Sequence, residues 1–245
     1  MSDHAGNVRN VLFVHGAFLD GSCWAKVILL LRQKGISATA VQNPLRSLED
    51  DVAVVKRALT NQKARVLLVG HSWAGAVITE VGDDPKVAGL LYVVACVPDA
   101  GESFEDCTRG YPFMQGVSKL REYGDDEYLA LTQEGIRDYL APDIQEDEAL
   151  LLYSIQAPIA RRCFSDRVTR ASWRLKPTWH IIAQNNIAVP SVAVPDSAFE
   201  INATTLTLRS NCVPMLSQPE AVAGFILEAA SMLDDSWKSG EIHPG

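Results

Sequence analysis

The segment RVLLVGHSWAGAVITEVG, residues 65–82, constrains the fold more than any other part of the chain. It opens with a short continuous apolar run, RVLLVG, and continues in a helical pattern. A second fully apolar run, VAGLLYVVACV, follows at residues 87–97. Strands without polar alternation are buried on both faces, which is typical of a parallel sheet between two layers of helices. The sequence therefore predicts an α/β fold.

The same alternation of strand and helix extends toward both ends of the chain. NVLFV at residues 10–14 reads as a strand, HGAFLDGS as a loop, and the apolar pattern from Ser22 to Gly35 as a helix. Three further strands are predicted at ISATAVQN, TWHIIAQ and TLTLR, and two further helices at SLEDDVAVVKRAL and from Pro219 to about Leu233. The predicted architecture is a doubly wound, mostly parallel sheet.

The rhythm changes between Pro98 and about Arg174, where acidic helical patterns replace the strands. We therefore expect a helical cap at residues 98–174, inserted into a core made of residues 1–97 and 175–245. The acidic stretches at 125–148 are interpreted as solvated surface.

Composition limits the classes of partner and the location. A net charge of −8 without a basic block disfavours nucleic acid and anionic membrane surfaces, which leaves small molecules. The chain has no apolar run of 18 residues and starts without a secretion signal, so a cytoplasmic location is expected. Five widely spaced cysteines favour neither a disulfide framework nor a zinc site. A homo-oligomer remains open.

Gly70-His71-Ser72-Trp73-Ala74 lies between the strand and the helix of the first segment, close to the G-x-S-x-G nucleophile elbow. Such a turn needs small residues because the serine backbone is strained and the helix packs closely on the strand. Ala74 replaces the second glycine, a mild departure, and Gly75 follows it. The alternative interpretation is an ordinary serine at a helix N-cap.

Chemistry at Ser72 needs rigid N–H groups where negative charge develops on the reacting oxygen. The predicted donors are the backbone N–H groups of Trp73 and Ala17, the latter from the HGAF loop after the first strand. His15 is interpreted as orienting this loop. Phe18 and His71 are predicted to contact a substrate, and the Trp73 side chain to form one wall of its pocket.

Four phrases, VLFVHGAFLDGSCW, AVQNPLRSLEDDV, VLLVGHSWAGAVITEVGDDPKVAGLLYV and PMLSQPEAVA, resemble a family of small α/β-hydrolases akin to plant esterases and hydroxynitrile lyases. The phrase ASWRLKPTWHIIA extends the resemblance, which covers nearly the whole chain. It implies an α/β-hydrolase fold, a cap lining an apolar pocket, no cofactor, and a Ser, Asp, His triad in that order.

Two of the three triad positions depart from the family. Ser72 matches, but the acid position past TWHIIA holds Asn186, with Asn185 beside it, and the histidine position before VPMLSQP holds Cys212. Of the five histidines, His4 and His243 lie in the polar tails, His15 in the HGAF loop, His71 in the elbow and His180 within a predicted strand, so none lies in the loop that follows the last strand. A shift of the alignment therefore recovers no base.

Without a neighbouring base a serine hydroxyl is a poor nucleophile, and loss of the base costs serine proteases on the order of 10⁶ in turnover. A cysteine thiol is a poor substitute, and Cys212 is interpreted first as a small buried hydrophobe.

The leading hypothesis is a non-hydrolytic enzyme acting on an apolar carbonyl-bearing metabolite, by cyclisation, isomerisation, cycloaddition or lyase-type cleavage, with Ser72 as a hydrogen-bond donor. A hydrolase with a displaced base and a catalytically silent ligand-binding protein remain open. Cap residues predicted to bind the substrate are Tyr111, Tyr153 and Gln156.

Overall fold

The computed structural model describes residues 8–108, 120–124, 127–186 and 201–233. Six parallel strands form the central sheet in the order β2-β1-β3-β4-β8-β9. The strands are β1 (Asn10–Val14), β2 (Ser37–Ala40), β3 (Val66–His71), β4 (Val87–Val93), β8 (Thr178–Ala183) and β9 (Thr204–Leu208). The predicted α/β-hydrolase fold with a mostly parallel sheet is confirmed.

Helices enclose the sheet on both sides. The helices of the core are α1 (Ala25–Gln33), α2 (Leu48–Thr60), α3 (Ala74–Val81), α8 (Pro214–Ser217) and α9 (Pro219–Met232). Helix α1 packs against α9, and α2 packs against α3. Every residue of β3 and β4 is buried, as expected for strands covered on both faces.

Helix α2 begins with a serine cap. The hydroxyl of Ser47 accepts a hydrogen bond from the backbone N–H of Asp50 at 3.1 Å. A serine in this position satisfies one of the unpaired N–H groups of the first turn. This cap sets the start of α2, whose buried face lies against α3 and the elbow.

Between β4 and β8 lies an insertion with helices α4 (Phe104–Thr108), α5 (Gln133–Gly135), α6 (Glu146–Ile155) and α7 (Arg162–Ser165). A π-helical turn, Ile136–Leu140, follows α5. The insertion also holds a three-stranded antiparallel sheet of β5 (Leu120–Tyr123), β6 (Tyr128–Leu131) and β7 (Ile159–Ala160). The insertion therefore contains a small sheet in addition to the helices that the sequence predicts. The apolar run of β6 suits a helix or a strand by pattern, and its strand partners lie up to about 30 residues away.

The chain reverses its direction across the sheet at β1, because β2 lies on one side of β1 and β3 on the other. In open α/β sheets the carboxyl ends of the strands at such a switch point form the ligand-binding crevice. The loop after β1 and the turn after β3 meet there.

No helix in the described ranges is long and apolar enough to cross a bilayer.

Candidate functional site

Ser72 occupies a strained turn between β3 and α3. Its φ angle is +52°, in the left-handed region that L residues rarely adopt, and its backbone N–H donates to Val93 O at 3.1 Å. The side chain is half-buried. Within the described ranges no hydrogen bond joins Ser72 Oγ to another residue. The geometry is that of a nucleophile elbow, which exposes the hydroxyl at the end of the sheet.

Three glycines permit the close packing around this turn. A Cβ on Gly16 would lie 2.8 Å from His71 Nδ1 and 2.9 Å from Ser72 Cβ, so the loop after β1 rests directly on the elbow. A Cβ on Gly70 would lie 2.8 Å from Ala74 O, and one on Gly75 would lie 2.2 Å from Cys96 O. The close packing of the strand and the helix at the elbow therefore depends on Gly70 and Gly75. This explains why alanine is tolerated at position 74.

Gly75→Ala is expected to lower the free energy of unfolding by about 2–3 kcal/mol, because the added methyl group overlaps the backbone carbonyl of Cys96. Gly224→Ala is the matched control. Gly224 also lies within a helix but has no atom within 4 Å of its Cβ position, so alanine there should be neutral or stabilise by up to about 1 kcal/mol. Urea denaturation of both variants checks this, and equal stabilities would contradict the packing described for the elbow.

The loop after β1 is held by His15, as the sequence predicts. The backbone N–H of Asn43 donates to His15 Nε2 at 2.9 Å, so the ring carries its proton on Nδ1, which donates to Gly16 O at 3.0 Å. Burial lowers the pKa of His15, which keeps the ring neutral in this role. The loop continues through Ala17, which is buried, and Phe18, which is buried with a φ of +62°.

Trp73 follows Ser72, and its indole is fully buried. The indole N–H donates to Asp51 Oδ2 at 2.9 Å. The expectation that this side chain forms a wall of the substrate pocket is therefore wrong, since the ring lies inside the protein against Phe104 and Phe164 of the insertion. The role predicted for its backbone N–H does not require the ring to face the substrate.

Asn186 and Cys212 lie on two loops that run side by side at the carboxyl ends of β8 and β9. The backbone N–H of Asn185 donates to Ser210 O at 3.1 Å, and that of Gln184 donates to Leu208 O at 2.8 Å. Both side chains are nearly inaccessible, with 5% of Asn186 and 2% of Cys212 exposed. Cys212 also contacts the elbow, because His71 Nε2 donates to its carbonyl oxygen at 2.8 Å.

The Cys212 thiol is a protonated, buried group. Its Sγ lies 3.8 Å from His71 Nε2. Burial raises the pKa of the thiol to about 12, and the charge of Asp143 adds to this. A thiolate is thus absent at neutral pH, which matches the interpretation of Cys212 as a small hydrophobe and disfavours it as a nucleophile.

The prediction that His71 contacts a substrate is not supported by the position of its ring. Its ring is fully buried beneath the elbow, edge-on to Trp24, and offers no surface to a substrate. Burial lowers its pKa to about 4, so the ring is neutral and donates through Nε2 to Cys212 O. His71 therefore links the elbow to the loop of Cys212.

The three cap residues predicted to bind substrate have different surroundings in the structure. Gln156 accepts from Leu131 N at 2.8 Å and donates to the carbonyls of Leu131 and Tyr153 at 3.0 and 3.2 Å. Its amide therefore ties α6 to β6, which gives the substrate-binding prediction no support. Tyr153 is half-buried, with Arg121 over its ring at 6.0 Å. Tyr111 lies outside the described residues.

Sequence reasoning missed two carboxylates near the site. Asp51 is fully buried beside Trp73. Asp143, from the insertion, accepts from the backbone N–H of Asn211 at 2.9 Å, next to Cys212. The signal for Asp51 was its spacing: it lies three residues after Leu48 and four before Val55, on the buried face of α2. No local sequence pattern points to Asp143.

No group of three or more metal-ligating side chains occurs among the residues described.

Comparison with known proteins agrees with this arrangement of the core. The sequence pattern of the alpha/beta hydrolase family matches residues 11–225. Alpha/beta hydrolase nvfD from Aspergillus novofumigatus is 24% identical over 242 residues, which cover 90% of this chain and 96% of that protein.

Solved structures resemble the chain in fold. Polyneuridine aldehyde esterase matches with a TM-score of 0.78 at 18% identity, covering 90% of this chain and 98% of its own. Tomato methylketone synthase I, crystallised with beta-ketoheptanoate, matches with a TM-score of 0.77 at 17% identity, covering 91% and 97%. Since the family pattern spans most of its length and its sheet and elbow have the expected form, the chain belongs to the alpha/beta hydrolase family of enzymes.

Proposed function

We propose that this chain transforms an apolar, carbonyl-bearing small molecule without hydrolysing it. Ser72 donates a hydrogen bond to the substrate, and the N–H groups of Ala17 and Trp73 stabilise negative charge on its oxygen. Ring closure, isomerisation, cycloaddition and lyase-type cleavage fit such a site, because they depend on positioning and on a polarised carbonyl. None of these reactions needs a cofactor.

The observation that carries the proposal is the surroundings of the Ser72 hydroxyl. Within the described ranges it has no hydrogen-bond partner, and the positions that the sequence resemblance assigns to the family's acid and base hold Asn186 and Cys212. Asparagine cannot stabilise an imidazolium charge, and the Cys212 thiol remains protonated. Among the described residues, proton removal from Ser72 therefore lacks an acceptor, whereas the donors of the proposed oxyanion hole need none.

The names of related proteins support a wider range of chemistry than ester hydrolysis. One fold neighbour is an esterase and another is a synthase crystallised with a β-keto acid. A β-keto acid carries a ketone beside a carboxylate on an alkyl chain, so it shares the ketone and the apolar chain of the proposed substrate class and provides a practical probe.

A hydrolase with a displaced base is the second candidate, and Asp143 is the observation in its favour. This carboxylate reaches from the insertion to the loop of Cys212, where it accepts from Asn211 N–H. If it served Ser72, Asp143→Asn would abolish hydrolysis of an aryl ester such as p-nitrophenyl acetate. Under our proposal wild type and Asp143→Asn are equally poor esterases.

Product masses test the proposal directly. The protein is incubated with a panel of apolar β-keto acids, lactones and aryl esters, including beta-ketoheptanoate. We expect a product of unchanged mass from cyclisation or isomerisation, or the loss of a neutral fragment from lyase-type cleavage. Addition of one water as the main reaction would contradict the proposal, and retention of an unchanged ligand in native mass spectrometry would indicate a binding protein.

Ser72→Ala is expected to slow that reaction by about 10²-fold, the usual cost of removing one hydrogen-bond donor from such a site. Ser231→Ala serves as the control, since Ser231 is exposed on α9 and bonds only to Glu228 O in the described structure. Initial rates of both variants with the best substrate of the panel measure the effect. An unchanged rate for Ser72→Ala would remove the serine from the mechanism.

A further inference from the structure

Asp51 is a buried carboxylate that contacts Trp73, the residue after Ser72, although it lies 21 positions before Ser72 in the sequence. Its side chain is fully buried in the first turn of α2. Oδ2 accepts from the indole N–H of Trp73 at 2.9 Å, and Oδ1 accepts from the backbone N–H of Leu45 at 2.9 Å. Each oxygen thus accepts from one donor, and the carboxylate joins the backbone at Leu45 to the side chain of Trp73.

Leu45 and Trp73 both contact the insertion. Leu45 has a φ of +55°, and its carbonyl accepts from the backbone N–H of Ala160 in β7 at 2.8 Å. The Trp73 ring meets the rings of Phe104 and Phe164 at centroid distances of 6.3 and 6.2 Å. Asp51 therefore lies at the junction of α2, the elbow and the insertion.

The chemistry of the junction requires a carboxylate. Two N–H donors converge on it, and only a group with two acceptor oxygens satisfies both. Asparagine offers one oxygen and turns an NH₂ group toward the second donor. Burying an ionised group without such partners is costly, so the pair of hydrogen bonds accounts for the charge at this position.

We propose that Asp51 is a positioning residue of the site, holding Trp73 so that its backbone N–H stays aimed at the substrate oxygen while the insertion is docked. The inference rests on the proposed function for its catalytic meaning. Its physical content, the coupling of Asp51 to the backbone of Trp73, is independent of the substrate.

The charge of Asp51 is sensitive to mildly acidic pH. Burial raises its pKa to about 6, the hydrogen bonds from Trp73 and Leu45 oppose this, and Asp50 and Arg46 contribute smaller effects of opposite sign. Cys163 of the insertion is the titratable group that faces it from α7, and burial raises the pKa of that thiol, so it stays neutral. Protonation places a hydrogen on one oxygen and weakens the bond that this oxygen accepts.

Nuclear magnetic resonance of the whole chain labelled with ¹⁵N-tryptophan tests the coupling without any substrate. We expect the indole and the backbone N–H signals of Trp73 to shift together with a midpoint near pH 6, with Trp73→Phe identifying both. Asp51→Asn should abolish the titration, and Asp50→Asn, which removes the neighbouring half-exposed charge, should preserve it. A backbone signal that does not change between pH 5 and 8 would overturn the proposal.

A kinetic experiment tests the effect on the oxyanion hole. In the background Cys212→His with Asn186→Asp, Asp51→Asn should lower kcat for p-nitrophenyl acetate about tenfold with little change in KM, because a displaced donor weakens transition-state stabilisation. Asp50→Asn should change neither constant. An equal loss in both variants, or a loss confined to KM, would contradict a positioning role. A background without esterase activity would count against the triad placement, and the resonance titration would then decide the role of Asp51 alone.

Discussion

Cys212→His combined with Asn186→Asp is expected to raise the hydrolysis of p-nitrophenyl acetate by about 10³-fold over the wild type. The two loops already lie side by side beyond β8 and β9, and the change supplies a base and a group to orient it. Loss of the base costs serine proteases on the order of 10⁶ in turnover, so a partial recovery of this size is reasonable under our proposal. The introduced imidazole must turn toward Ser72, because His71 fills the space beside Sγ.

Single variants and a serine knockout separate the contributions. Cys212→His alone should gain much less, since replacing the acid by asparagine in a serine protease lowers turnover by about 10⁴. Adding Ser72→Ala to the double variant should return hydrolysis to the wild-type level. No gain in a folded double variant, as judged by circular dichroism, would show that these two positions are not those of the acid and the base.

Acidification from pH 7.5 to pH 5 is expected to lower the free energy of unfolding by about 3 kcal/mol. Burial lowers the pKa of His71 to about 4 and that of His180 to about 3, against 6.5 when unfolded. Below pH 6.5 these imidazoles therefore bind protons in the unfolded chain but not in the folded chain. The free energy of unfolding decreases as the pH is lowered. Each ring contributes about 2 kcal/mol at pH 5. Asp51 acts in the opposite sense, because its raised pKa makes the folded chain bind a proton first, and it offsets about 1 kcal/mol.

Urea denaturation at the two pH values measures this difference, and His180→Phe checks its origin. His180 lies fully buried in β8 with its ring 5.9 Å from that of Tyr92. The variant should lose about 2 kcal/mol of the pH dependence, whatever its stability at pH 7.5. Identical stability of the wild type at both pH values would contradict neutral buried imidazoles.

The core of the fold was predictable because its signals are local. The apolar runs of β3 and β4 and the glycines around Ser72 specify buried strands and a tight turn through residues that are neighbours in sequence. The orienting role of His15 followed from its place in the HGAF loop, and the structure confirms it.

The insertion was less predictable because its structure depends on distant partners. Strand β6 is an apolar segment of four residues that pairs with β5 on one side and β7 on the other. Pairing of Tyr128 with Ala160 joins residues about 30 positions apart, and a periodicity analysis does not detect such a contact. The sequence analysis therefore found the helical patterns of the insertion but not its strands.

Within the site, sequence patterns identified positions but not orientations. His71 and Trp73 flank Ser72 and were expected to face a substrate, whereas both rings are buried. Each ring meets a partner from another segment, the carbonyl of Cys212 for His71 and the carboxylate of Asp51 for Trp73. The direction of a side chain in a turn depends on such tertiary partners, and Asp51 itself was hidden among the acidic residues that commonly begin a helix.

Fluorophosphonate labelling of the wild type, read by intact-protein mass spectrometry, tests the central claim that the Ser72 hydroxyl lacks a proton acceptor. Fluorophosphonates modify serines that a neighbouring base activates. The account predicts no adduct on the wild type under conditions that label the Cys212→His/Asn186→Asp variant at Ser72. A stoichiometric adduct on Ser72 of the wild type would contradict it and identify the chain as a serine hydrolase.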